Sequence, residues 1–117
     1  GWAEQNVAEN GGSLKISHDI ASAYSGADVV YAKSWGALPF FGNWEPEKPI
    51  RDQYKHFIVD EEKMAMTNNG VFSHCLPLRR NVKATDAVMD SPQCIAINEA
   101  ENRLHVQKAI MAAVAGR

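Results

Sequence analysis

The apolar positions of this chain recur in two periods, one helical and one alternating, and their succession sets the expected fold. Trp2 to Glu9 carries helix formers and stops at Asn10-Gly11-Gly12, as glycine does just past a helix end. Leu14-Lys15-Ile16-Ser17 alternates like a short strand, and Asp19 to Ser25 predicts a brief helix closed by Gly26. Asp28 to Ala32 follows as a buried strand rich in β-branched residues. Strand, helix and strand at this spacing argue for parallel pairing through a right-handed crossover rather than a hairpin.

From Lys33 to Pro49 the periodicity breaks, with Gly36, Pro39, Gly42 and Pro46 interleaved with Trp35, Phe40, Phe41 and Trp44. Loops longer than about 12 to 15 residues are functional or disordered, and this many aromatics disfavours disorder. The stretch reads as an ordered flap or a partner-facing loop; an oligomer contact without a substrate role is the alternative.

Ile50, Tyr54, Phe57 and Ile58 share a helical face and predict a helix from about Pro49, followed by an extended piece from His56 to Val59. Asp60 is placed to cap a helix with Glu61 and Glu62 in its first turn, ended by Asn69-Gly70. Val71 to His74 is the next strand, Ala84 to Met89 a small helix, and Cys94 to Ile97 the last strand. The final helix, about 99–115, is expected to start at Asn98 with Glu101 completing a capping box. Its two apolar faces, one with Val106, Ile110 and Val114 and one with Leu104 and Met111, suggest packing on a further domain. The expectation is one α/β domain over residues 1–117, a mainly parallel sheet with helices on both faces.

Composition changes this picture little. With 45% apolar and 22% charged residues and a net charge of −2, the chain matches a soluble globular domain without a basic stripe, so nucleic acid is not expected as a partner. No run approaches the ~20 apolar residues that span a bilayer, so no membrane is expected either. Cys75 and Cys94 show no metal or disulfide spacing, which favours a reducing cytoplasm. The chain opens on Gly1 rather than methionine, which reads as a piece of a longer protein or a processed chain.

The candidate chemistry lies at His74-Cys75-Leu76-Pro77, where a strand runs directly into a turn. Open α/β sheets place ligands at that edge. Alone, His74 reads equally as a structural histidine and Cys75 as a small buried hydrophobe. Followed by Pro77, a candidate cis-proline, the carbonyls of Cys75 and Leu76 become acceptors for an amine or amide. Lys33 ends the preceding strand at the same edge. Arg103 lies early in the last helix, with pairing to Glu99 as its alternative role. Arg79, Arg80 and Lys83 form a basic cluster that also reads as a solvated turn. There is no Gly-rich phosphate loop, metal-ligand set or Ser/His/Asp arrangement.

Gly26-Ala27-Asp28-Val29-Val30, Ser34-Trp35, His74-Cys75-Leu76-Pro77 and Glu99-Ala100-Glu101-Asn102-Arg103, in this order and spacing, resemble the second half of an ornithine-type carbamoyltransferase. The resemblance covers essentially the whole chain. It implies a Rossmann-like three-layer domain, the amino-acid-binding half of a two-domain subunit that works as a trimer. The other half, with its Ser-x-Arg-Thr phosphate loop, would bind carbamoyl phosphate. The implied reaction moves a carbamoyl group to an amine without metal or organic cofactor. His74 and Arg103 would polarise the carbamoyl carbonyl, and the Cys75 and Leu76 backbone would orient carbamoyl group and amine, with no covalent intermediate through the thiol.

One departure bears on substrate. Ornithine-type enzymes carry Asp-x-Trp and then Ser-Met-Gly after this strand, where the present chain has Lys33-Ser34-Trp35-Gly36-Ala37-Leu38. A lysine in place of the aspartate that pairs with the α-ammonium group would repel it. An acylated, uncharged α-nitrogen removes the conflict and lets Lys33 pair with the α-carboxylate. The residues therefore resemble the branch acting on N-acylated ornithine, N-acetylornithine first and N-succinylornithine second. Ordinary ornithine transfer is the alternative within enzymes, and an inactive ligand-binding or assembly module the alternative outside them. Lys83, beside two arginines, is a further candidate for lysine carboxylation.

Overall fold

The computed structural model describes residues 1–33, 35 and 37–116. Helix α1 (Trp2–Glu9) forms as expected, but the alternating stretch after it does not become a strand. Leu14 and Ile16 are 49% and 78% exposed, and among the described residues no neighbouring strand pairs with them. Helix α2 (Ile20–Tyr24) is capped by Asp19, whose carboxylate accepts from the Ser22 N–H.

Strand β1 (Val29–Ala32) pairs in parallel with β2 (Val71–His74), in the register Val29 to Val71, Val30 to Phe72, Tyr31 to Ser73 and Ala32 to His74. Gly70 permits the approach: a Cβ there would sit 2.7 Å from the Ala27 carbonyl oxygen. The stretch between the strands differs from the sequence expectation. Helix α3 (Trp44–Asp52) starts earlier and takes in both Pro46 and Pro49, and short 3₁₀ turns flank it at Leu38–Phe40 and Lys55–Phe57. Pro46 falls in the first turn, where its missing N–H has no intrahelical partner to lose. Helix α4 (Glu61–Ala65) is capped by Asp60 as anticipated.

After β2, helix α5 (Asp86–Met89) is capped by Thr85, and Val59 bridges in parallel to Ala84. The expected last strand is a single bridge, Phe72 to Cys94, because helix α6 (Ala96–Ala115) begins at once. Its N-cap is Ile95, not Asn98.

The alternation of β1 and β2 assigns their two faces. Val30 and Phe72 face a core with Val59, Met64, Ala84 and Val88, which brings α4 and α5 to that side. Tyr31 and Ser73 face the first turn of α6. The result is an α/β, Rossmann-like arrangement around a small parallel sheet. The radius of gyration is 17.3 Å, against about 13 Å for a compact chain of this length. The terminal helices account for the difference: α1 buries no residue, and α6 buries only Ala96. Among the described residues no helix is long and apolar enough to cross a membrane.

Candidate active site

Because Ala32 pairs with His74, Lys33 and Cys75 leave the sheet side by side at its C-terminal edge. The Lys33 Nζ lies 3.4 Å from the Cys75 Sγ. The chain then turns through a cis Leu76–Pro77 bond, with Leu76 in the left-handed region at φ 44°, a conformation that residues other than glycine adopt mainly at turns and functional sites. Among the described residues the Cys75 and Leu76 carbonyls accept no hydrogen bond, which leaves both as acceptors for a ligand.

His74 is 1% exposed. Its Nδ1 accepts from the Leu76 N–H at 3.0 Å and so holds the turn from inside. A nitrogen that accepts carries no proton, so in the neutral ring Nε2 is the donor. That Nε2 is buried and has no partner among the described residues. Burial, and then the Lys33 ammonium, pushes the His74 pKa below the usual imidazole value, which favours the neutral ring.

The pairing of Arg103 with Glu99 does not form. Glu99 turns to the sheet instead, accepting from the Tyr31 hydroxyl at 3.0 Å and from the Ser73 hydroxyl. The Ser73 hydrogen bond, followed by that of Tyr31, holds the Glu99 carboxyl below its ordinary pKa, while the bond to Glu99 pushes Tyr31 up to about 12. Arg103 makes no ion pair among the described residues and lies on the exposed part of α6, one turn beyond Glu99. Nothing in the sequence singled out Tyr31 or Ser73; the strand register brings them together.

The basic cluster separates. Arg80 is held by Asp86 at 2.9 Å and Asp90 at 2.6 Å. The Arg79 guanidinium lies 4.8 Å from the centre of the Trp44 ring, with Arg51 5.6 Å from the same ring. Lys83 is buried, its Nζ 3.5 Å from the Trp35 ring centre and donating to the Trp35 carbonyl at 2.9 Å. Burial first, then Arg51 and Arg79, lower its pKa to about 8. One of the two arginines acting on Lys83 is therefore Arg51, which replaces Arg80 in the expected arrangement. It also reaches Glu47, a buried carboxylate 3.5 Å away.

A cavity of about 610 Å³ opens beside this group, lined by Tyr24, Ala32, Lys33, Trp35, Ala37, Ile50, Arg51, Tyr54, Phe57 and Val59. Its size suits a small organic molecule, and its charge comes from Lys33 and Arg51 against aromatic walls. Of the residues the sequence proposed for a site, only Lys33 lines it. His74, Cys75 and Leu76 stand at the adjoining strand end, and Arg103 belongs to neither group. The aromatic loop is ordered in part as a wall of this cavity, through Trp35 and Ala37. Among the described residues no three His, Cys, Asp or Glu side chains group as metal ligands.

A family model described as "Aspartate/ornithine carbamoyltransferase, Asp/Orn binding domain" matches residues 1–114. The chain belongs to the aspartate/ornithine carbamoyltransferase family. Within that family it is 88% identical over 116 residues to the N-acetylornithine carbamoyltransferase of Xanthomonas campestris pv. campestris, covering 99% of this chain and 34% of that protein. The ornithine carbamoyltransferase of Thermococcus kodakarensis is 41% identical over 116 residues, covering 98% of this chain and 36% of that one. Among solved carbamoyltransferases, an acetylornithine transcarbamylase complexed with acetylcitrulline superposes with a TM-score of 0.85 at 90% identity, over 96% of this chain and 34% of that chain. An N-acetyl-L-ornithine transcarbamylase variant with carbamyl phosphate and N-succinyl-L-norvaline matches equally, with a TM-score of 0.85, 90% identity and the same 96% and 34% coverage. The chain thus spans about a third of the length of the curated relatives it matches.

Proposed function

We propose that this chain is the amino-acid-binding part of an enzyme that transfers the carbamoyl group of carbamoyl phosphate to the δ-amine of N-acetyl-L-ornithine, giving N-acetylcitrulline and phosphate in arginine biosynthesis. The observation that carries the reading is Lys33, a cation that lines the cavity and contacts Cys75 at 3.4 Å. A group placed there meets a substrate's α-substituents while the adjacent turn meets its reacting end. The names and bound ligands of the close relatives support the same substrate pair.

The chemistry assigns each residue a task. The neutral δ-amine attacks the carbamoyl carbon, the carbonyl oxygen takes up negative charge, the C–O bond to phosphate breaks as phosphate leaves with its electron pair, and the departing phosphate takes the proton that the amine nitrogen gives up. The free carbonyls of Cys75 and Leu76 orient the amine and the carbamoyl NH₂. Arg103 and the Nε2–H of His74 serve the developing oxyanion. A buried donor without a partner costs about 1–3 kcal/mol, a cost that substrate binding relieves once the site closes around it. Lys33 pairs with the α-carboxylate, and Leu76 and His74 border the acylated ornithine.

The remaining parts follow from the same reading. A second domain supplies the carbamoyl phosphate site, and α6 packs on it. Leu104, Val106, Ile110, Met111 and Val114 are each more than half exposed, which supports an unfilled contact. The full protein works as a cytoplasmic homotrimer. Lys83 carries a carbamate: its lowered pKa and its arginine neighbours favour the neutral amine that reacts with carbon dioxide and then balance the new negative charge. Labelled bicarbonate giving a carbamate signal that Lys83→Arg removes supports this; an unchanged signal contradicts it.

A carbamoylation assay of this chain alone beside the longer chain that includes its upstream domain tests the reading. The longer chain is expected to form N-acetylcitrulline and the short one to form none. Turnover by the short chain, or carbamoylation of neither ornithine form by the long one, overturns it. N-succinylornithine is the second substrate to assay, because a relative binds N-succinyl-L-norvaline.

A further inference from the structure

We infer that Glu99 is a positioning residue: by clasping the Tyr31 and Ser73 hydroxyls of the two paired strands, it fixes the first turn of α6 across the sheet edge and thereby sets where Arg103 acts. The inference rests on the carbamoyltransferase reading above, in which Arg103 serves the carbamoyl oxygen.

Three observations carry it. Tyr31 and Ser73 are register partners, so a single carboxylate reaches both strands at one rung. That rung lies two residues before Lys33 and one before His74, so the clasp grips both strands immediately behind the site. Glu99 and Arg103 are four residues apart on one helix, which separates them by about 6 Å along its axis. With both Glu99 oxygens engaged, the carboxylate is directed to the sheet and leaves the arginine without its usual same-face partner.

Within this chain the first turn of the helix has little else to hold it, since the apolar face proposed above to meet the second domain begins beyond Arg103, at Leu104. Ala96 is the helix's only buried residue, and its C-terminal turns are exposed. A small rotation of α6 about its axis would displace a long side chain at position 103 by several ångströms, and misplacement of about 1 Å costs roughly 100-fold in rate. Ordering by a charge-assisted two-armed bond suits this task, because it fixes both the height and the rotation of the helix.

Glu99→Gln in the full chain keeps the side chain's length and removes its charge. The expected result is a 10- to 100-fold lower kcat with the KM for N-acetylornithine changed less than about threefold. In an Arg103→Ala background the same substitution is expected to cost less than about twofold more, since the arginine it positions is gone. Losses that multiply across the two variants, or an unchanged kcat, overturn the inference. Hydrogen exchange at the amides of residues 99–103 gives a readout independent of activity: about tenfold faster exchange in Glu99→Gln is expected, and unchanged exchange contradicts the clasp. A full wild-type chain without carbamoylation would sink the functional reading, and the exchange measurement would still decide the clasp.

Discussion

The Lys33 ammonium and the Cys75 thiol meet at 3.4 Å, one from the end of each paired strand. This contact joins the residue proposed to meet the substrate's α-substituents to the turn proposed to meet its reacting end. It also gives the thiol a task other than nucleophilic attack. Cys75→Ala is expected to lower kcat by about tenfold or less, because the backbone carbonyls of the turn remain. A loss beyond about a thousandfold in a folded variant would point to a covalent role.

Phe72 is fully buried and joins β2 to the helices beneath it, touching the side of the core that holds Met64 and Val88. Phe72→Ala is expected to cost about 3–5 kcal/mol, read as a drop in denaturant midpoint. A domain with this few buried residues has little reserve, so the variant should be largely unfolded at ambient temperature. A midpoint within experimental error of the wild type would contradict the assignment of the core.

Lys83 gives stability an alkaline dependence. Its folded pKa, about 8, lies below the ordinary value of about 10.4. Between the two the unfolded chain binds more protons, so this group makes stability rise as pH increases through that window. In bicarbonate-free buffer Lys83→Met should flatten the rise. An identical slope in the variant would count against the buried placement of the ammonium.

At the acid end the sign is the same, because the carboxyl groups of Asp86 and Asp90 also have folded pKa values below their unfolded ones and stability again rises with pH. The Asn81 amide and Arg80 hold the Asp86 carboxyl below its ordinary pKa, and Arg80 does the same for Asp90. Their contribution is present above about pH 3.9 and is lost as pH falls through the lowered folded values. Arg80→Ala should therefore lower stability slightly at neutral pH and flatten the acid limb of a thermal-stability profile, so that variant and wild type converge at low pH. A profile that keeps its full acid limb would show that these pairs carry nothing.

The elements legible in the sequence were those decided locally. Both strands, the Asp60 cap and the cis turn at Pro77 follow from residues within a few positions of each other. Leu14 to Ser17 had the strand pattern but found no neighbour, since alternation alone cannot supply a pairing partner. The helix at Trp44–Asp52 was hidden by Pro46 and Pro49, which read as breakers, whereas the Trp44 and Arg51 contact and the buried Glu47 favour the helix. Lys33 was legible at the site because a family pattern marks its position. Glu99 and Arg51 were not, because Glu99 acts on Tyr31, 68 positions away, and Arg51 on the distant, buried Lys83, and periodicity records neither.

Lys33→Asp in the full-length enzyme, assayed with N-acetylornithine and with free ornithine, tests the central claim most directly. Exchanging a cation for an anion about 4 Å from the α-substituents reverses an interaction of up to ~4 kcal/mol at an effective dielectric of 20, which solvent around an exposed side chain reduces. The wild type is expected to carbamoylate the acetylated form and not free ornithine, and the variant to shift relative kcat/KM toward free ornithine by about 10- to 100-fold. Equal use of both substrates by the wild type, or an unchanged preference in a folded variant, would contradict the account.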